Sequence, residues 1–250
     1  MNLIYYTIGN NINYINILNL NILTLEKYYN YNFELLFIID ERIANEFETN
    51  LITKLPYKVL ISTTNSMRDS SLNKLKIFKF DEIKNYNKII YCDCDILWCG
   101  DPNNIFSLVN SNKILVSNEN HHDLIMTHEY WSGNLLHESE ILEIKKMGLK
   151  GFNGGFFAFS FELISVIKNI FEFCVENIDS MNECLEQPFI NVYLFRNNLF
   201  DLSLNKLITH NGYNIDKINE ETIVHFAGGP GNYSYKMNKM VDFYEKNIKK

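Results

Sequence analysis

Asp93 and Asp95, in the run Tyr91-Cys92-Asp93-Cys94-Asp95, are the residues whose type and spacing ask most clearly for a chemical role. They follow Ile89 and Ile90, and Lys88 to Cys92 reads as a short buried strand. Successive side chains of an extended chain point to opposite faces, so the two carboxylates are expected on one side. Held that close they repel, unless a cation lies between them. A hard divalent ion, Mn2+ or Mg2+, suits carboxylate oxygens and leaves positions open for phosphate oxygens. The same residues also fit a strand followed by a solvated acidic turn, which the spacing taken alone favours.

The elements that would position such a pair can be read before it. Leu3 to Ile8 is an expected strand closed by the turn Gly9-Asn10-Asn11, and Ile15, Leu18, Ile22 and Leu25 recur at helical spacing between Tyr14 and Tyr29. Glu34 to Ile39, ended by Asp40, is a second strand; a helix over 43–51 and a strand over 57–61 follow. This β-α-β-α-β opening predicts an α/β fold with a parallel sheet flanked by helices. Ligands of such sheets bind at the carboxyl ends of the strands, where Gly9-Asn10-Asn11 and Asp93-x-Asp95 fall. Residues 71–80 are predicted helical, with Lys74 inside, and Asp101-Pro102-Asn103 reads as a helix start with Asp101 as a structural cap.

Further along, the pattern weakens from Ser117 to Lys150, where His121, His122, Asp123, His128, Glu129 and Trp131 cluster without regular ligand spacing. That stretch reads as a surface excursion of the kind that carries substrate selectivity. Gly154-Gly155 precedes the apolar strand Phe156-Phe157-Ala158-Phe159, and paired glycines there permit close approach of the backbone to something else. Residues 161–178 form an amphipathic pattern. Glu186-Gln187-Pro188 opens another helix, with Pro188 in its first turn. Ile223 and Val224 deliver His225 to a glycine-rich loop over 226–232, with Lys236 beyond it, an arrangement suited to a diphosphate.

Composition narrows the class. A net charge of −7 without a long basic run argues against nucleic acid as a partner. Among the five cysteines, Cys92-x-Cys94 lacks the paired spacing of structural zinc, and reduced buried thiols are expected. No basic leader with an apolar run and no bilayer-length apolar stretch is visible, so a cytoplasmic protein is expected. Without repeats or linkers, residues 1–250 read as one domain.

Asp93-x-Asp95, Asn73-Lys74-Leu75, Phe152-Asn153-Gly154-Gly155, Glu186-Gln187-Pro188-Phe189-Ile190-Asn191 and His225-Phe226-Ala227-Gly228 occur in an order that resembles glycosyltransferase family 8, over about residues 3–236. The resemblance implies a GT-A fold, Rossmann-like, with a nucleotide-binding part (1–116) and an acceptor and donor-sugar part (117–250). It implies a retaining, metal-dependent transfer of a hexose from a UDP-sugar, UDP-glucose favoured, to a hydroxyl of a glycan, protein or lipid. By the same resemblance Asp93, Asp95 and His225 would hold Mn2+ (or Mg2+). Thr7, Asn11 and Tyr14 would hold the uridine, and Lys74, Cys94, Asn153, Gly228 and Lys236 would contact the donor. Gln187, Glu186, Asn153 and Lys74 would serve the chemistry, with Gln187 beneath the sugar ring and Glu186 on its hydroxyls. Two departures stand out: Glu186 replaces the family's usual Asp, and Gly231 stands where its phosphate-binding lysine is expected, leaving Lys236 as a substitute from further along. The alternatives are a sugar nucleotidyltransferase, against which the Arg-free loop 9–13 counts, and a catalytically silent nucleotide-binding domain. The sequence names neither sugar nor acceptor, and a homodimer is compatible with it.

Overall fold

A computed structural model describes residues 1–29, 32–123, 133–181, 184–210, 212–215, 223–228 and 233–249. The expected opening is present: β1 (Asn2–Ile8), α1 (Asn13–Leu25), β2 (Phe33–Asp40), α2 (Ala44–Asn50) and β3 (Tyr57–Ser62). There follow α3 (Met67–Ser71), β4 (Lys88–Cys92), β5 (Ile96–Trp98), α4 (Asn103–Leu108), β6 (Ile114–Leu115) and β7 (Asn118–Asp123). The second half holds α5 (Glu138–Met147), β8 (Lys150–Phe152), β9 (Phe156–Ser160), α6 (Ile164–Glu176), α7 (Gln187–Arg196) and β10 (Phe200–Asp201). It ends with β11 (Ile208–Thr209), β12 (Ile223–His225) and α8 (Tyr233–Asn247).

Seven strands form the main sheet in the order β10-β6-β9-β4-β1-β2-β3. Neighbours from β4 to β3 run parallel, and β9 lies antiparallel to β4 and β6. Both faces of this sheet are covered, which is why its strands read as nearly continuous apolar runs. The alternation of β1 shows how: Ile4, Tyr6 and Ile8 pack into one core, while Leu3 and Tyr5 pack into the other. The first core includes side chains of α1 and α8; the second includes those of residues 72–77, α6 and α7. A small sheet, β11-β12-β5, lies beyond the end of β4, and β7 pairs with β8 alongside. Among the described residues no helix is long and apolar enough to cross a membrane.

Three local expectations change. The helix expected over 71–80 is α3 followed by tight 3-10 turns over Leu72–Lys79, and the buried Tyr5 hydroxyl donates to the Lys74 carbonyl at 2.6 Å within them. The helix expected to Tyr29 ends at Leu25 and continues as one 3-10 turn over Glu26–Tyr28. The helix over 161–178 is a 3-10 turn at Phe161–Leu163 and then α6. Asp101 does cap α4, accepting the Asn103 N–H at 2.8 Å. In the excursion after Ser117, His121, His122 and Asp123 fall on β7, while His128, Glu129 and Trp131 lie outside the described residues.

Candidate active site

Asp93 and Asp95 converge for a different reason from the one expected. The strand stops at Cys92, and Asp93-Cys94-Asp95 forms the turn that carries the chain from β4 into β5. This turn is pinned from several directions. The Asp93 N–H donates to Gly155 O at 2.8 Å, and Asp95 O accepts the Phe226 N–H at 2.9 Å. Buried Asn21 of α1 donates to Asp93 O and Cys94 O at 3.3 and 3.4 Å, while its own Oδ1 accepts from the Tyr6 hydroxyl and the Trp98 indole. Fully paired buried polar groups of this kind specify one arrangement.

β12 runs antiparallel to β5 with His225 opposite Ile96, which sets the imidazole beside the turn. One ligand atom each of Asp93, Asp95 and His225 lies within 4.8 Å of the others; His225 Nε2 is 3.2 Å from Asp95 Oδ1 and 4.0 Å from Asp93 Oδ2. Gly155 forms the floor, where an added Cβ would stand 2.5 Å from both Asp93 Oδ2 and His225 Cε1. The glycine pair thus permits the close approach its sequence suggested. Two carboxylates and an imidazole nitrogen around a space that excludes a methyl group fit a divalent cation such as Mn2+.

The surrounding charges are set by pairs. The buried Tyr91 hydroxyl donates to Asp93 Oδ1 and lies 3.1 Å from Thr7 Oγ1; burial and the Asp93 charge raise its pKa well above the usual value, so it stays protonated as a donor. Burial raises the Asp93 pKa, against the opposing field of Lys74. For Asp95, burial acts the same way but is outweighed by His225 and Lys236, leaving it below the usual carboxylate range. Lys236 donates to Asp95 Oδ2 from the first turns of α8, so it reaches the site despite its displaced position in sequence.

Lys74 is buried beside this turn. It is 8% exposed, with Nζ 2.6 Å from Glu186 Oε1, 3.0 Å from Gly154 O and 3.8 Å from Asp93 Oδ1. Burial alone would lower its pKa, but Asp93 and Glu186 raise it above the ordinary value and keep it charged. Gln187 accepts the Gly154 N–H at 2.9 Å and donates to Glu119 Oε2 at 3.1 Å, which orients its amide. Asn153 is buried and its Oδ1 accepts the Gly155 N–H at 2.9 Å. Asn191 pairs with both backbone groups of Phe152 and so docks α7 on β8.

Two cavities meet here. One of about 260 Å3 is lined by Lys74, Asp93, Asp95, Glu119, Asn153, Glu186, Gln187, His225 and Gly228 among others. A second, of about 580 Å3, lies at the ends of β1 to β3, lined by Thr7, Asn11, Tyr14, Arg42 and residues of the 65–71 segment. Leu185 lines both, with φ of +53°, a left-handed conformation that L-residues adopt at a cost of about 1–2 kcal/mol. Cys94 lines neither cavity: its side chain belongs to the core and donates to Thr7 O at 3.5 Å. Burial, with both carboxylates, keeps it a protonated thiol, so only its backbone could serve a ligand. Of the glycine-rich loop, Gly228 is described, with φ of +64° and its carbonyl accepting from the Tyr213 hydroxyl; residues 229–232, Gly231 among them, lie outside the described residues.

The chain matches the model of Glycosyl transferase family 8 over residues 11–230. It belongs to that family. No curated protein matches this family 8 chain by sequence. Among solved structures it is similar to the galactosyltransferase LgtC in complex with donor and acceptor sugar analogs, with 13% identity and a TM-score of 0.63 over 96% of this chain and 95% of that one. Mouse xyloside xylosyltransferase 1 in its apo form gives 13% identity and a TM-score of 0.61 over 90% and 97%. The apo bifunctional glycosyltransferase WbbM gives 12% and 0.63, and this chain, matched over 99% of its length, spans 52% of that larger protein. These likenesses establish a GT-A fold. Family membership makes the protein a glycosyltransferase and sets aside the nucleotidyltransferase alternative.

Several residues of the site carry no motif. Asn21, Glu119, Tyr91 and His210 come together only through the fold; Tyr91 alone had a signal, its place two residues before Asp93.

Proposed function

We propose that the protein transfers a hexose from a UDP-sugar, UDP-glucose favoured, to a hydroxyl of a glycan, protein or lipid, with retention at the anomeric carbon. The observation that carries this reading is the convergence of Asp93, Asp95 and His225 on the smaller cavity, which shares Leu185 with the larger one. In it, residues 1–116 bind the nucleotide and residues 117–250 supply the donor-sugar and acceptor side, the whole acting as one domain. Thr7, Asn11 and Tyr14 take the uridine in the larger cavity. Asp93, Asp95 and His225 hold Mn2+ or Mg2+, which when bound neutralises charge on the departing diphosphate.

Lys236 and the backbone at Cys94 and Gly228 give that diphosphate further donors, which matter most as negative charge develops. Lys74 contacts the donor and shares its phosphate charge, and it holds Glu186, the Gly154 carbonyl and Asp93 together at the floor of the smaller cavity. Asn153, Glu186 and Gln187 orient the sugar there. The Gln187 amide, tied to Gly154 and Glu119, presents a fixed dipole beneath a ring that gains oxocarbenium character. The acceptor hydroxyl attacks from the face that the diphosphate leaves. Its proton passes to the leaving phosphate oxygen as the new glycosidic bond forms, so no protein base is needed. Three buried thiols, Cys92, Cys94 and Cys174, suit a reducing compartment, and we place the enzyme in the cytoplasm.

The test is UDP release from a panel of UDP-sugars, with and without Mn2+, for the wild type and Asp95→Asn. Metal-dependent release from one hexose donor, at least about 100-fold slower in the variant, is the expected result, given the charge a metal site stabilises. Release that ignores both metal and substitution overturns the assignment. UDP binding without release from any donor, across a panel of hydroxyl acceptors, would make the chain a silent member of its family.

A further inference from the structure

The histidine that faces the carboxylates is itself held by a second buried histidine. His210 follows β11, which runs parallel to β12 with Thr209 opposite Val224, so the next rung sets His210 beside His225. The two Nδ1 atoms are 3.1 Å apart, with the rings edge to face at 72°. On its far side, His210 Nε2 is 2.7 Å from Ser117 Oγ. All three side chains are buried, at 8%, 3% and 1% exposure for His210, His225 and Ser117.

This geometry permits few proton arrangements. Two facing ring nitrogens form a hydrogen bond only if one carries a proton and the other offers a lone pair. An imidazole binds a metal through a lone pair, so His225 facing the carboxylates through Nε2 must keep its proton on Nδ1. It then donates to His210 Nδ1, the His210 proton sits on Nε2, and that group donates to Ser117 Oγ. Ser117 is a firm anchor, since its carbonyl also accepts the Asn153 N–H at 2.9 Å.

We propose that His210, anchored by Ser117, is a positioning residue that sets the tautomer and ring orientation of His225 for divalent-metal binding. The inference rests on the metal-site reading of Asp93, Asp95 and His225. One line of backbone and side chain therefore ties the metal-facing ring, through His210 and Ser117, to Asn153 of the sugar cavity.

The test is Mn2+ affinity of the full chain, read from the electron paramagnetic resonance signal of the free ion, with and without UDP, alongside thermal melting. His210→Phe keeps a ring but lacks the acceptor; its Mn2+ affinity should fall about 10- to 100-fold, the usual effect of losing a partner behind a metal ligand. His210→Asn places an oxygen near the Nδ1 position and should recover most of that loss, whereas His210→Gln, whose polar atoms reach only toward Ser117, should not. Phe and wild-type proteins of equal affinity would overturn the proposal, as would Asn and Gln variants of equal affinity. If His210→Phe does not fold, the Asn and Gln pair decides by itself. Absence of Mn2+ binding by the wild type would instead sink the metal reading and the inference with it, an outcome distinct from wild-type binding that the variants leave unchanged.

Discussion

The smaller cavity, lined by Asp93 and Asp95, and the larger one, which shares Leu185 with it, are built on opposite principles. The larger one lies at the open ends of three parallel strands, and its lining is half in water: Tyr14 is 38% exposed and Met67 76%. Arg42 is paired with buried Asp40 and Thr7 lies beside the Tyr91 hydroxyl, but neither pair holds Tyr14 or Met67. The smaller one is lined by groups already spoken for, with Lys74 on Glu186, Gln187 on Gly154 and Glu119, and Asn153 on Gly155. Polar groups near water can be exchanged cheaply, whereas a buried charge deprived of its partner is costly. Binding and stability should therefore be separable at the exposed Tyr14 of the first cavity and inseparable in the second.

Lys74→Met should show the largest effect. It leaves Glu186, 4% exposed, without its cation, and we expect a loss of about 3–5 kcal/mol in denaturant unfolding together with the loss of turnover. Adding Glu186→Gln should restore much of the stability and none of the turnover; a double variant no more stable than the single one would break the account of this cavity. Gly155→Ala comes next. Its Cβ must displace Asp93 Oδ2 or His225, and overpacking of this kind costs about 1–3 kcal/mol. Mn2+ binding should weaken at least about tenfold by titration calorimetry, as for a distorted metal shell, and unchanged binding would remove Gly155 from the floor of the site. Tyr14→Ala should show the smallest effect, a loss of about 1 kcal/mol in UDP affinity from the missing ring face, with no change in melting temperature. A large drop in melting temperature for this variant would erase the distinction between the cavities.

Sequence reading went furthest where chemistry and local geometry coincide. The strand at Lys88–Cys92 was legible to the residue because both faces of the sheet are buried and the apolar run is bounded by turn residues. Pro188 in the first turn of α7 and His225 at the end of β12 stand where their neighbours placed them. The 3-10 turns at 72–79 were not legible. The apolar spacing of Leu72, Leu75 and Ile77 suits either helix type, and the Tyr5 hydroxyl on the Lys74 carbonyl comes from a residue far away in the chain. The burial of Lys74 escaped for the same reason: its three partners, Glu186, Gly154 and Asp93, lie at the ends of other elements.

From the chain alone came the donor atoms and their order: two carboxylates one residue apart, a late histidine, the glycine pair, and a helix opening with Glu186-Gln187. Those are properties of residue type and spacing, which local rules can read. Their convergence came only with the tertiary fold. Asp93 and Asp95 meet because Asn21, Gly155 and Phe226 pin a turn between two sheets, not because an extended strand alternates. Lys236 reaches Asp95 across 141 positions of sequence, and His210 finds the back of His225 because two short strands run side by side. Hydrogen bonds and ion pairs act over about 3 Å whatever the separation along the chain, so which buried groups become partners is decided by packing.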